Sequence, residues 1–206
     1  AASARGHPLL LNLVASAGIE TKRTMERYLH EEIWKDLTSR ERTSLEAASI
    51  FPAPVHPHAL TTIPGVSESA LEKLRARNLL EQTLGGQISV HELVRDFVRN
   101  RGDRAKLRRL HFHAAKYFLG RPAAQDHLEG VYHLIQADRA KEAARCVELS
   151  NSALLDSVSI REMAPLIRRI DLGKADPSAA CVLSEFLGDG FGIAGQLGLA
   201  LWQYRH

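Results

Sequence analysis

Only one stretch of this sequence, Glu81 to Val90, alternates apolar and polar residues as a half-buried strand must. Elsewhere the apolar residues recur every three or four positions, the period of an amphipathic helix. With a single two-stranded ribbon, the core has to be built by helix against helix, and the chain is expected to be mainly α. Within the ribbon, Glu81 to Leu84 and Gln87 to Val90 flank Gly85-Gly86, a pair that tolerates the positive φ angles of a two-residue hairpin turn.

Several helices precede the ribbon. Pro8 suits the first turn of one whose apolar residues are Leu9, Leu10, Leu13, Val14 and Ala17, stopped by Gly18. A second carries Met25, Leu29, Ile33 and Leu37 on one stripe, with Tyr28 beside it. Thr38-Ser39-Arg40-Glu41 is a capping box: the threonine accepts from the backbone and the glutamate reaches back. It opens a third helix, through Leu45, Ala48 and Ile50, which Pro52 and Pro54 end. Ser67 caps the next, with Val66 and Leu71 placed as a hydrophobic staple, Leu71, Leu74 and Leu79 inward, and Glu72, Lys73, Arg75 and Arg77 outward. Helices followed by a two-stranded wing are the order of a winged helix-turn-helix. His91 then stands at the start of a helix whose apolar face is Leu93, Val94, Phe97 and Val98.

From Asp103 onward there is no strand signal. Leu107, Leu110, Ala114 and Phe118 mark one helix; Leu128, Val131, Tyr132 and Ile135 the next; Ala140, Ala143, Ala144 and Val147 a third; Ile160, Met163, Ile167 and Ile170 another. Paired helices in series suggest a solenoid. Near the end, Leu187-Gly188, Phe191, Gly195, Ala200 and Tyr204 fall at the offsets of a tetratricopeptide unit, in which small residues let two antiparallel helices approach and large ones fill the next layer. Leu134, Asp138, Ala143 and Val147 form a weaker copy. The expected organisation is residues 1–27 as a helical segment, 28–101 as a winged helix, and 102–206 as a TPR-like solenoid cut short at its end.

A net charge of +3 over 206 residues is too small to argue for nucleic acid or a membrane surface. The basic residues crowd only at Arg99, Arg101, Arg104, Lys106, Arg108 and Arg109, read as a solvated junction before an anion patch. Cys146 and Cys181 stand far apart and are expected to be reduced and buried, which fits a cytoplasmic protein. No apolar run approaches the ~20 residues needed to span a bilayer, and the first thirteen residues lack the layout of a signal peptide.

Gly190-Phe191-Gly192-Ile193-Ala194-Gly195 spells a dinucleotide fingerprint, but the helical register and the repeat offsets explain the same letters better. No GxxxxGK[ST] occurs. His56, His58, His111, His113, His127 and His133 lack metal-site spacing, and His111 and His113, two apart on a helix, point to different sides; no metal site is expected. No enzyme is expected in the chain itself. The helix opened by Ser67 offers Ser69, Lys73, Arg75 and Arg77 to a DNA groove, yet Glu68, Glu72 and Glu81 flank it and repel phosphate.

At His91 two readings meet: a capping residue, or part of a phosphate site, since unpaired N–H groups and the helix dipole favour an anion at a helix N-terminus. The order of the pieces resembles the STAND-class (NB-ARC or AP-ATPase type) signal-transducing NTPases. ARGHPLLLNLV is similar to the GxP segment closing their helical lid, and ISVHELVRDF to their Met-His-Asp segment, with Val90 in place of methionine and Glu92 in place of aspartate. The resemblance of ARGHPLLLNLV implies that residues 1–27 are the end of a lid domain. The resemblance implies that Gly6 and Pro8 line an adenine pocket and that His91 reaches the β-phosphate of ADP to hold a resting state. It implies ATP/ADP with Mg in a longer parent ATPase and no cofactor in this piece. Its partners would be an upstream nucleotide-binding domain of the same chain and a protein or peptide signal at the repeats. The alternative is a winged-helix DNA-binding transcription regulator with a TPR-like effector domain.

Overall fold

The computed structural model describes residues 34–155 and 176–205. The expected lid and stripe helices before Trp34, and the helix expected over Ile160 to Ile170, lie outside the described residues; Leu37, the last of its stripe, is buried in a turn before Thr38. The chain divides between Leu107 and Arg108 into two compact units.

In the first unit, α1 (Ser39–Ser49) begins at the capping box: Thr38 Oγ accepts from the Glu41 N–H, and the Glu41 carboxylate accepts from the Thr38 N–H at 2.7 Å and from its hydroxyl at 2.8 Å. Leu45, Ala47, Ala48 and Ile50 make this helix the centre of the core. Proline 57 opens the short α2 (Pro57–Thr61). Ser67 caps α3 (Glu68–Ala76), accepting from the Ala70 N–H, while Ala70, Leu71 and Leu74 face inward. The ribbon is shorter than its alternation suggests, with β1 (Glu81–Gln82) antiparallel to β2 (Ile88–Ser89) in the register Glu81 to Ser89 and Gln82 to Ile88. Ile88 also exchanges both backbone hydrogen bonds with Val55, so the edge it presents to the helices is covered. A further helix, α4 (Glu92–Arg101), buries Val94, Phe97 and Val98 and packs on α1. Among the described residues the unit is thus helical, with one two-stranded hairpin ahead of α4.

The turn departs from expectation. Thr83 N–H donates to the Gln87 carbonyl and Gly86 N–H to the Thr83 carbonyl, so Leu84, Gly85 and Gly86 form a three-residue loop. Of the two glycines only Gly86 has positive φ, +76°, closing a tight turn with one left-handed residue rather than two.

The second unit is mainly helical. It contains most of α5 (Arg104–Leu119), then α6 (Ala124–Gln136), α7 (Ala140–Leu155), α8 (Pro177–Ile193) and α9 (Leu197–Arg205). Neighbours pack in series, α6 on α7, α7 on α8 and α8 on α9, the arrangement of a helical-repeat fold. One core runs through Leu128, Val131, Leu183, Phe186, Leu187 and Phe191. At Gly188 an added Cβ would lie 2.5 Å from the Tyr204 ring, which is why the repeat offsets put glycine there: α8 and α9 meet at that point.

Helices α3, α6 and α8 end alike. A left-handed residue follows each, Asn78 at φ +57°, Asp138 at +63° and Gly195 at +73°. The next N–H donates five residues back, Leu79 to Leu74, Arg139 to Leu134 and Gln196 to Phe191, the Schellman closure that satisfies a terminal carbonyl. Leu79, expected on the helix, is therefore buried just beyond its end.

Candidate functional site

His91 follows β2 after one residue, the buried Val90. Its extended backbone (φ −58°, ψ 140°) makes it the N-cap of α4, and its Nδ1 accepts from the Leu93 N–H at 3.2 Å. That bond decides the tautomer: with Nδ1 accepting, the neutral ring carries its proton on Nε2, the atom at the outer end of the imidazole. The ring is half-buried rather than sealed in apolar packing.

Arg95, four residues on, holds this joint. Its guanidinium donates to the Val90 carbonyl at 3.0 Å and to the Pro52 carbonyl at 3.3 Å, tying the strand end to the segment after α1. The His91 carbonyl accepts the Arg95 N–H at 2.9 Å. Sequence reasoning passed over Arg95. The contact that gives it a role spans 43 residues, and no local pattern encodes it. Glu92, where the family pattern has aspartate, is exposed in the first turn. Gly6 and Pro8 lie outside the described residues.

The four residues proposed for a DNA groove, Ser69, Lys73, Arg75 and Arg77, share the exposed side of α3 and its C-cap. Glu68, Glu72 and Glu81 are exposed beside them, and Lys73 and Arg77 act on Glu41 of α1, helping its Thr38 hydrogen bonds hold the carboxyl below its usual range. At the wing tip, where phosphate would favour a cation, stands a fully exposed leucine, Leu84.

The other candidates resolve locally. Within the arginine-rich junction, Lys106 pairs with Glu46 and donates to Thr43, Arg101 lies over the Phe97 ring, and Arg108 pairs with Asp138. His56 caps α2, and His127 Nε2 lies 2.8 Å from the Arg121 carbonyl oxygen. His111 and His133, 22 residues apart in sequence, meet in the core with their Nδ1 atoms 2.8 Å apart. Burial, then the charge of His111, pushes His133 well below the usual histidine range, so it stays neutral. Among the described residues no cluster of three or more His, Cys, Asp or Glu side chains is placed to hold a metal. The letters of the dinucleotide fingerprint lie on α8 and its C-terminal turn, not on a strand–loop–helix. Both cysteines are free, but the expectation that they are buried is corrected: Cys181 is exposed on α8 and Cys146 half-buried.

No protein-family model matches the chain, and none of the curated proteins does. Among solved structures, a signal transduction ATPase with numerous domains (STAND) protein with a tetratricopeptide repeat sensor, from Pyrococcus horikoshii, is similar, with a TM-score of 0.63 over 97% of this chain and 19% identity. The two share a fold. The chain spans 30% of that protein's length. Among the described residues no helix is long and apolar enough to cross a membrane.

Proposed function

We propose that this chain is the regulatory and sensor part of a STAND-type ATPase switch, in which the winged-helix unit responds to bound nucleotide and the helical repeats take a protein or peptide signal. The fold likeness supports the class. The observation that carries the nucleotide reading is the place of His91 as the cap of α4: Nδ1 accepts from the Leu93 N–H, Arg95 donates to the Val90 carbonyl just ahead of it, and the neutral ring then carries its proton on Nε2. Such a donor fits the β-phosphate of ADP, supplied with Mg by a nucleotide-binding domain upstream in the parent, with Gly6 and Pro8 against the adenine. One imidazole at one helix end is not a phosphate cradle, and Glu92 opposes an anion there, so this piece alone holds ADP weakly and hydrolyses nothing. A donor that loses its contact on nucleotide exchange biases a two-state arrangement of domains, which is what a switch requires.

Because His91 also caps α4, His91→Ala would mix two effects. Serine caps as well as asparagine or aspartate but cannot reach as far as an imidazole. In the longer protein, His91→Ser is expected to keep the fold and to lose retained ADP, measured by chromatography of the nucleotide released on denaturation, with raised basal activity. ADP retention and silence equal to wild type would refute the nucleotide-sensing role. The mixed charge of α3 and the leucine at the wing tip favour this reading over a DNA-binding regulator.

A further inference from the structure

In the second unit, the start of α8 and the end of α9 enclose a cleft of about 590 Å³. That volume lies within the roughly 300–1,000 Å³ of sites that take small ligands or a few peptide residues. Its floor includes Gln203, which is only 6% exposed. The Gln203 amide has no hydrogen-bond partner among the described residues, and its nitrogen and oxygen are not sealed in the core but open on the cleft, where water or a partner must satisfy two donors and an acceptor. Glu185 and Arg205, both exposed, line the same cleft with opposite charges, and Ser184 adds a hydroxyl. Tyr204 forms a fixed wall: its hydroxyl donates to Asp189 at 2.5 Å, tying α9 to α8.

Resting on the reading that the repeats receive a signal, we propose that this cleft is where they do so, and that it takes an extended peptide segment. The Gln203 amide pairs with a main-chain amide of the peptide, donor to carbonyl and acceptor to N–H. Glu185 receives a cationic side chain at one end and Arg205 an anionic one at the other. An amide-to-amide pairing is indifferent to side chains, so the two rim charges supply both the choice of peptide and its direction. The carboxylate alone would not specify a ligand. The amide beside it points to one, because the Gln203 side chain is otherwise buried while its polar end opens on the cleft with no protein partner among the described residues.

The test uses the 206-residue chain and two capped tetrapeptides, acetyl-Lys-Ala-Ala-Glu-amide and acetyl-Glu-Ala-Ala-Lys-amide, with acetyl-tetraalanine-amide as reference. Binding is followed by NMR through the side-chain NH₂ signals of Gln203, assigned by their loss in Gln203→Leu. One charged peptide is expected to shift these signals and bind at least about fivefold more tightly than its reversed counterpart and the reference, since an exposed rim charge pair contributes up to about fivefold and the peptide offers two. The double variant Glu185→Arg with Arg205→Glu is expected to exchange the preference. Gln203→Leu should weaken binding to the reference level while leaving Tm unchanged or higher; a lowered Tm would show that the amide serves the fold and would overturn the proposal. So would equal binding of the three peptides, no shift of the Gln203 signals at millimolar peptide, or variants that bind as wild type. These outcomes leave the nucleotide-retention result for His91 untouched, so the two readings fail separately.

Discussion

Gly188 and Tyr204 show how a single missing methyl group sets a helix crossing. The ring fills the space where a Cβ would stand, and the Asp189 hydrogen bond keeps it there. The same bond, with smaller contributions from burial and the charges of Asp189 and Glu185, pushes the Tyr204 phenol up to about 12. Gly188→Ala must move the ring away and break that bond. Overpacking of this kind costs ~1–3 kcal/mol, and the better helix propensity of alanine returns ~1 kcal/mol, so a net loss of about 0–2 kcal/mol is expected. The more decisive readout is spectroscopic. In wild type one of the four tyrosines should ionise near pH 12, and in Gly188→Ala that late titration should move toward pH 10, followed by phenolate absorbance. An unchanged late titration would mean that the ring is not held where the hydrogen bond places it.

At the scale of the element, the start of α1 is the best-defined local device. Thr38 and Glu41 satisfy each other's backbone N–H groups, and the bonds that the Thr38 N–H and then its hydroxyl donate to the Glu41 carboxylate hold that carboxyl below its usual 4.5. A carboxylate depressed in the folded state contributes stability that is fully present above pH 4.5 and is lost as pH falls through the folded value. Thr38→Ala should cost about 1 kcal/mol at neutral pH. Glu41→Gln, which removes the carboxyl that both Thr38 bonds depress, should flatten the acid limb of the stability curve below pH 4.5, measured by urea titration at several pH values. A full acid limb in the variant would locate that dependence elsewhere. The α4 cap is built on the same principle, with an imidazole nitrogen in place of a hydroxyl oxygen as the acceptor.

For the molecule as a whole, the consequential polar feature is the His111–His133 contact inside the second unit's core. His133 stacks on Phe118 with its ring at 8° to it and meets Tyr132 edge-on, and burial keeps it neutral. The unfolded chain takes up a proton near pH 6.5 that folded His133 refuses, so its contribution to stability is present above pH 6.5 and is lost as pH falls toward the much lower folded value. Between about pH 6 and 5, above the carboxylate range, denaturant stability of this unit should fall with a slope approaching ~1.4 kcal/mol per pH unit, the limit for one proton. In His133→Leu that slope should largely vanish. A slope that persists in the variant would assign it to another group.

How much of this was legible depends on the range of the interaction. The capping box, the Ser67 cap, the proline stops, the position of the ribbon and the repeat offsets around Gly188 all follow from neighbours within one or two helical turns, and these elements stand where the residues indicate. Gln203 left a faint local trace, a polar residue on the inward side three positions after Ala200. The hairpin loop was misjudged because the two glycines are equivalent as letters and only the strand register selects Gly86 for the left-handed position. The Arg95 clamp, the His111–His133 contact, the exposure of Cys181 and the cleft over Gln203 join segments tens of residues apart or depend on which face a neighbour covers. Among the described residues the sequence by itself determined which segments are helices, how several of them begin and where the ribbon stands, because caps and periodicity act through bonds a few residues long. Only the tertiary structure decided which polar groups are buried, paired or left facing a cleft, because burial is a property of the packed surfaces and not of any residue's neighbours in the chain.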